Sequence, residues 1–492
     1  MAAAAPGPMG RDRAPARRIG PLGAAFPLSA MPTLSHTLER LMLGLLPSAW
    51  RDRLRQVSGS NKAILRGMGW VAVFLLVAKL IAAGKEMLVA YRYGTSPVVD
   101  GYLFVFNLAQ WPTSVFFSVI SFVLIPYLVR LRTDNPDEAC QLQKALVPAA
   151  LGAGIGVSLL VGLGVWWLVR EDLTGLDGVG KAAALAAIPW LAPTIALAFP
   201  AAIYSTWLMS ERRHANTLLE AMPAVGIALC LIYWPFGAGA NWDVLPLAVG
   251  TLAGFLLQTV LLARLAGSKA VTVTTVKLSA HWPALGGAFS TMLLAQVVIT
   301  SSGLIDQFLA VRMGEGVLTT LSYAQRLMAL VLGLSATVIG RAMLPVFSGV
   351  ADPRQSFALA KRWAWSCALA GLAGMLLMAL LAKPSVALLF ERGAFSENDT
   401  QAVSLVLVIL GVQLPFYLAS IVLVQWIGAI GKPAWLLVAA SSGLLAKFVS
   451  AIALFDFGAA GLAGATVIMY TVTTGVIYII SHRSLQRSRR RF

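Results

Sequence analysis

The sequence predicts an all-α polytopic membrane protein, with about 12 transmembrane helices in two pseudo-twofold-related six-helix halves around a central cavity. Three observations predict it. Of 492 residues, 58% are hydrophobic and only 12% charged, with a mean hydropathy of +0.78. An ordinary soluble domain carries about 25% charged residues. Twelve apolar segments reach the roughly 20 residues that a spanning helix needs. They are far longer than the roughly 10-residue alternating segments of an outer-membrane barrel. Finally, one short motif returns in the second half of the chain.

Taken in order, the first 30 residues are rich in Ala, Pro, Gly and Arg. They predict a disordered cytoplasmic tail over 1–35, without the compact apolar stretch of a signal peptide. Met31 is an alternative start. Residues 36–66 predict an amphipathic helix on the inner membrane surface, clearest in HTLERLMLGLLPSAWRDRLRQ. The first half, 67–264, holds spans at 67–92, 101–129, 145–169, 182–209, 215–235 and 244–264. A cytoplasmic amphipathic connection, 265–285, leads to the second half, 286–480. Its spans lie at 286–311, 317–347, 362–382, 400–427, 433–455 and 458–480. Residues 481–492 form a basic cytoplasmic tail. Pro112, Pro126, Pro189, Pro193, Pro200, Pro345 and Pro415 fall in or near spans, where each removes a backbone donor and can bend a helix.

The net charge of +17 does not require a nucleic-acid partner, because cytoplasmic loops accumulate Lys and Arg. With the N-terminus inside, the tail, the even-numbered connections and the C-terminus hold 28 Lys and Arg, against six in the odd-numbered connections. That asymmetry predicts a multi-pass inner-membrane protein with both termini cytoplasmic. Cys140, Cys230 and Cys367 are too few and too scattered for a disulfide or metal framework. His36, His214, His281 and His482 all fall outside the apolar cores, which argues against a metal site or proton relay there. No Gly-rich phosphate loop or acidic metal pair is present, so the chain reads as a transporter rather than an enzyme, with no cofactor.

The repeated motif defines the halves. LVAYRYG (88–94) returns as FLAVRMG (308–314), and Glu86 falls opposite Asp306. Each half begins with an acid, then an Arg six residues on, then Gly, then a long helix closed by Pro. Six helices separate the copies, so both enter the membrane from one side. Such parallel repeats place a substrate site between halves.

Charged residues within spans are costly and mark function. In the first span, Lys79 and Glu86 share one helix face and Lys85 and Arg92 another. Lys79 lies mid-span and is expected to face a cavity. Lys85 and Arg92 could instead snorkel to the outer surface. Arg326 and Lys447 are further intramembrane cations, and Asp306 is a further acid. Arg326 could alternatively anchor at the interface, and Lys447 and Asp306 could be structural. Glu220 reads as a solvated rim residue. The interior is net positive, which suits an anionic passenger such as phosphate or diphosphate.

The pattern K-x5-KE-x5-R-x-G-x5-D (Lys79, Lys85, Glu86, Arg92, Gly94, Asp100), with SYAQRL (322–327) and LFERGAFSENDT (389–400), resembles the MviN/MurJ-type lipid II flippases. These belong to the multidrug/oligosaccharidyl-lipid/polysaccharide exporter superfamily. The resemblance runs from about residue 60 to 482. It implies basic residues at Lys79 and Lys85, acids at Glu86 and Asp100, and an Arg at Arg326, around a cationic cavity. Three departures stand out. The family's Arg pair in the second helix falls at Thr113 and Ser114, the acid of its A-D-R motif is Gln325, and no two further helices follow the twelfth.

The resulting expectation is a flippase that moves a polyprenyl-diphosphate-linked saccharide, lipid II or an exopolysaccharide or capsule repeat unit, to the outer leaflet by alternating access. Lys79, Lys85, Arg326, Arg92 and Lys447 would hold the diphosphate. Glu86, Asp306 and Asp100 are the cavity acids, and a coupling ion would be Na⁺ or H⁺. Partners would be the glycan lipid, membrane lipids, and a glycan polymerase or glycosyltransferases. The alternatives are a cation-coupled drug or metabolite antiporter of the same superfamily and a non-transporting scaffold for glycan synthesis.

Overall fold

Long apolar runs must close their backbone hydrogen bonds within themselves, because a bilayer core offers no water. Every described span is accordingly helical. The structure, a computed structural model, describes residues 59–211, 216–234, 244–267, 282–348, 353–430 and 434–489. The predicted tail (1–35), most of the amphipathic segment (36–66), most of the connection (265–285) and the end of the basic tail lie outside the described residues. The chain falls into two units, Met1–Gly69 and Trp70–Phe492. The first is described only at the beginning of one helix, and the account below concerns the second.

The first half contains α1 (Gly59–Tyr93), α2 (Pro97–Asp134), α3 (Pro136–Arg170), α4 (Gly178–Ser210), α5 (Asn216–Tyr233, broken after Leu219) and α6 (Leu245–Leu265). The second contains α7 (Trp282–Met313), α8 (Val317–Ser348), α9 (Pro353–Phe390), α10 (Glu397–Gly411 and Leu414–Ala429), α11 (Ala434–Ala453) and α12 (Gly458–Arg489). Among the described residues, ten helices are long and apolar enough to span, or eleven with the two pieces of α10 taken as one. They follow α1, itself 35 residues long. This is the predicted fold class.

Several helices outrun the predicted apolar windows. α2 has 38 residues, or about 57 Å, against a hydrocarbon core of roughly 30 Å. The charged ends of α2 and α3 simply stay helical, and Asn135 joins them by C-capping one and N-capping the other. α10 starts at Glu397 because Ser396 and Asp399 form a capping box. It then bends by 43° at a break followed by Pro415.

The two halves repeat one packing pattern. In the first, α4 packs on α2, α3 and α6, and α5 packs on α6. In the second, α10 packs on α8, α9 and α12, and α11 packs on α12. Between halves, α2 packs against α7 and α8. Small residues allow the closest approaches, as usual for membrane helices. A Cβ on Gly254 of α6 would lie 2.5 Å from Pro223 Cα of α5.

The apolar core is divided unevenly. One cluster joins both halves at the end where the odd-numbered connections lie, from Val89 and Leu103 to Leu321 and Phe395. Toward the other end the core separates in two. One part lies within the first half around Leu128, Leu142 and Trp207, and the other within the second around Phe357, Trp426 and Ile477. Among the described residues, the halves are therefore sealed together at the odd-connection end only.

Candidate functional site

The site begins at the centre of the seal, where α1 and α8 meet. Glu86 on α1 accepts from Arg326 on α8 through one carboxylate oxygen and from its neighbour Lys85 through the other. A single acid thus joins two cations, one from each half, and the group is net positive. The ammonium of Lys85 and the carboxylate of Glu86 are largely buried, while Arg326 remains 30% exposed. The face assignment from spacing alone does not survive, because Lys85 and Glu86 converge on one point.

The repeat copy of Glu86 is treated differently. Asp306 on α7 accepts from Lys447 Nζ on α11 at 2.8 Å and from Gln325 Nε2 on α8 at 2.9 Å. Lys447 also donates to Ser302 Oγ at 2.8 Å. Lys447 is 1% exposed and Asp306 3%, so this ion pair is sealed within the second half. The adjacent residues Gln325 and Arg326 each serve one acid, Asp306 and Glu86. An acid at 325 would confront Asp306, whereas the carboxamide donates to it.

Beside Arg326 lies a cavity of about 420 Å³, bounded by α2, α7 and α8. α2 contributes Asn107, Gln110, Trp111 and Ser114, α7 contributes Thr300 and Gln307, and α8 contributes Ser322, Gln325 and Arg326. Trp111 Nε1 donates to Thr300 Oγ1 at 3.0 Å across the halves. The wall mixes apolar surface with these polar side chains, and among the described residues Arg326 supplies its only charged one.

The seal itself is built from loop glycines and caps. Asp100, near the start of α2, accepts from Gly316 N at 2.5 Å and from the backbone and hydroxyl of Thr319. It caps α8 from the opposite half, satisfying donors that a helix start leaves free. Gly94 (φ +59°) and Gly393 (φ +65°) let the α1–α2 and α9–α10 connections interleave, and Ala394 N donates to Tyr91 O at 2.8 Å. A Cβ on Gly94 would lie 3.1 Å from the Ala394 carbonyl carbon. Thr95 donates to Asp399, and Arg312 donates to Leu173 O at 2.6 Å.

Lys85, Glu86 and Arg326 therefore converge, and the other predicted residues do not join them. Lys79 is exposed, among exposed Leu76, Val77 and Leu80, and lies off the cavity wall. It interacts electrostatically with Glu220 of α5. Arg92 donates to Leu231 O at 2.9 Å, near the C-terminal end of α5, an anchoring contact for a cation at a helix end. Lys447 is held by Asp306, and Asp100 is held by α8. Sequence reasoning missed Asn107, Gln110, Trp111 and Gln307. Scattered neutral side chains carry no charge signal in a span, and only helix packing aligns them. Among the described residues, no cluster of His, Cys, Asp or Glu could hold a metal.

Comparison with known proteins agrees with this architecture. In solved structures, the chain is similar to a lipid II flippase MurJ in an inward closed conformation, with a TM-score of 0.69 and 18% identity over 83% of this chain and 87% of that one. It also resembles an inward-facing multidrug resistance MATE family transporter of the MOP superfamily, with a TM-score of 0.64 and 13% identity over 84% and 95%. Among sequences, it is 25% identical to a probable lipid II flippase MurJ of Synechocystis sp. over 396 residues, 76% of this chain and 72% of the relative. It is 23% identical to a lipid II flippase MurJ of Burkholderia cenocepacia over 372 residues, 71% and 70%. The family model described as lipid II flippase MurJ matches residues 89–491, from the end of α1 through α12. That match begins just after Glu86 and takes in most of both halves, and the chain belongs to the MurJ lipid II flippase family.

Proposed function

We propose that the protein flips a polyprenyl-diphosphate-linked saccharide from the inner to the outer leaflet of the bacterial inner membrane by alternating access. The observation that carries this reading is the Lys85–Glu86–Arg326 group, in which cations from both halves share one acid beside a cavity lined in part by polar side chains. Arg offers a planar fork and Lys a point charge, the pair of donors that suits a diphosphate. Glu86 acts as a stand-in anion. An arriving diphosphate takes over Lys85 and Arg326, releases Glu86, and so breaks the α1–α8 link that helps hold the seal. Lys79, about 9 Å nearer the even-connection end, is the first cation that a headgroup entering from that end would meet.

The Lys and Arg asymmetry supports a cytoplasmic even-connection end, which would make the end sealed among the described residues the outward one. Glu86 and Asp306, the acids available to a coupling Na⁺ or H⁺, each already hold a tethered cation. An ion acting at Asp306 would have to displace Lys447. A glycan polymerase or glycosyltransferases would act before or after this step in the same membrane.

The test is transport of a fluorescent polyprenyl-diphosphate-linked saccharide in proteoliposomes. Lys85→Ala and Arg326→Ala should each lower it by about tenfold or more, the scale of one lost charge-assisted hydrogen bond. Arg326→Lys should retain part of it. Full transport by the Lys79→Ala, Lys85→Ala double variant, folded normally by thermal unfolding, overturns the assignment.

A further inference from the structure

The break in α10 takes no part in holding the diphosphate, yet several observations meet there. Pro415 has no N–H to donate to Gly411, four residues earlier. Val412 N and Gln413 N instead donate to Ile409 O and Leu410 O, three residues back, at 3.0 and 3.2 Å. Such tight turns within a longer helix mark places that can flex. Gln413 is 1% exposed, and its Oε1 has no hydrogen-bond partner among the described residues. Bending a continuous helix in hydrocarbon breaks backbone bonds that nothing replaces. Here the ladder is already interrupted, so a change of angle costs little.

The break also falls where the core divides. On α10, Val403 to Leu414 belong to the core of the seal, and Ala419 to Ile427 to the separate core around Phe357 and Trp426. The counterpart helix α4 changes cores between Leu191 and Ile195, with Pro193 between them. α9 packs on both pieces of α10. It meets the break backbone to backbone, since a Cβ on Gly371 would lie 2.6 Å from Pro415 Cα and 2.7 Å from Leu414 O. Gly371 is 18 residues after Pro353 and 19 before Phe390, the two ends of α9. That leaves about 27 Å of helix on either side. One arm carries Phe357 into the core away from the seal. The other carries Phe390 into the seal and runs into the connection that docks on Tyr91.

We propose that α9 is a lever that pivots at Gly371 on the α10 break. When one arm swings with Leu414–Ala429 to close the even-connection end, the other draws the α9–α10 connection off Tyr91 and loosens the seal. The second half therefore flexes internally and does not rock as a single rigid body. The proposal rests on the flippase reading, for which it supplies a movement that links the two ends of the molecule.

The experiment places a removable bridge beside the pivot. A Cβ on Gly411 would lie 3.4 Å from Met378 Cβ, at the short edge of the roughly 3.5–4.5 Å found across disulfides. Met378→Cys with Gly411→Cys, in a full chain whose Cys140, Cys230 and Cys367 are changed to Ser, ties the seal-side arm of α9 to Glu397–Gly411. Both positions lie within the second half, so a half that rocks as one body would move as before. Transport of a fluorescent polyprenyl-diphosphate-linked saccharide in proteoliposomes should fall by about tenfold or more on oxidation and return with dithiothreitol. Binding of undecaprenyl diphosphate in nanodiscs should stay within about twofold throughout. Undiminished transport by the oxidised protein, with the bridge confirmed by mass spectrometry, overturns the lever and leaves the flippase reading standing. Should the cysteine pair misfold, Pro415→Ala restores a donor to Gly411 and favours a straight α10. It should lower transport about fivefold, the scale of one hydrogen bond, with binding retained, and full transport by it overturns the lever. If the unmodified chain moves no saccharide lipid, the flippase reading fails and the lever fails with it.

Discussion

Lys447 and Asp306 show how one residue pair is tied to stability rather than to substrate. Both are nearly inaccessible and only 2.8 Å apart. Removing one member of such a buried pair strands the other charge and typically costs about 3–5 kcal/mol. Lys447→Ala should therefore lower the unfolding temperature in detergent, and Lys447→Met with Asp306→Asn should recover much of the loss. Equal unfolding temperatures for the wild type and Lys447→Ala would show the pair to be dispensable. Glu86 behaves oppositely, because its partners come from the site. Glu86→Gln removes the competing anion and should tighten binding of undecaprenyl diphosphate, read by equilibrium titration of the full chain in nanodiscs. Weaker binding would contradict the stand-in role. At this scale the sequence exposed each intramembrane charge, since every one breaks an apolar run. It could not say which cation each acid would meet, because Arg326 and Lys447 approach from helices far along the chain.

At the level of elements, the seal depends on helix ends and connections. Asp100 caps α8 across the halves, and Gly94 and Gly393 let two connections interleave. Cap removal costs about 0.5–2 kcal/mol, enough to shift a two-state equilibrium by a factor of a few to about thirty. Asp100→Ala should raise outward opening, measured as faster reaction of an introduced Thr95→Cys with a membrane-impermeant maleimide. Gly393→Val should act in the same direction and more strongly. It forces a side chain against Tyr91 and takes a non-glycine residue to positive φ. Unchanged labelling in both variants would mean that the seal does not depend on these contacts. The string LFERGAFSENDT was legible as a family motif between the ninth and tenth spans. Its docking onto Tyr91 and Thr95 was not, because a loop's partner is set by tertiary contact.

For the whole molecule, the apolar core is continuous at the odd-connection end and divided at the other. Cross-half hydrogen bonds follow the same division. Among the described residues they run from the loop ends down to Trp111–Thr300 and no further. Orientation can be tested with the native thiols. Cys140, at the even-connection end, is exposed and should stay unlabelled by an impermeant maleimide in intact spheroplasts, yet label in inverted vesicles. A cysteine at Glu397, at the odd-connection end, should show the reverse. The opposite pattern would invert the proposed direction of transport.

By itself the sequence determined the helical membrane class, the internal repeat and the placement of charge along the chain. Each follows from local physics: the cost of an unpaired backbone or a charge in hydrocarbon is imposed residue by residue, and a repeat is visible along the chain. Only the tertiary structure decided that Lys85, Glu86 and Arg326 converge while Lys447, Arg92 and Asp100 are spent on the framework. It alone aligned neutral amides from α2, α7 and α8 into one cavity. Those outcomes depend on how helices distant in sequence rotate and pack, and a neutral side chain leaves no mark of its partner in its own neighbourhood.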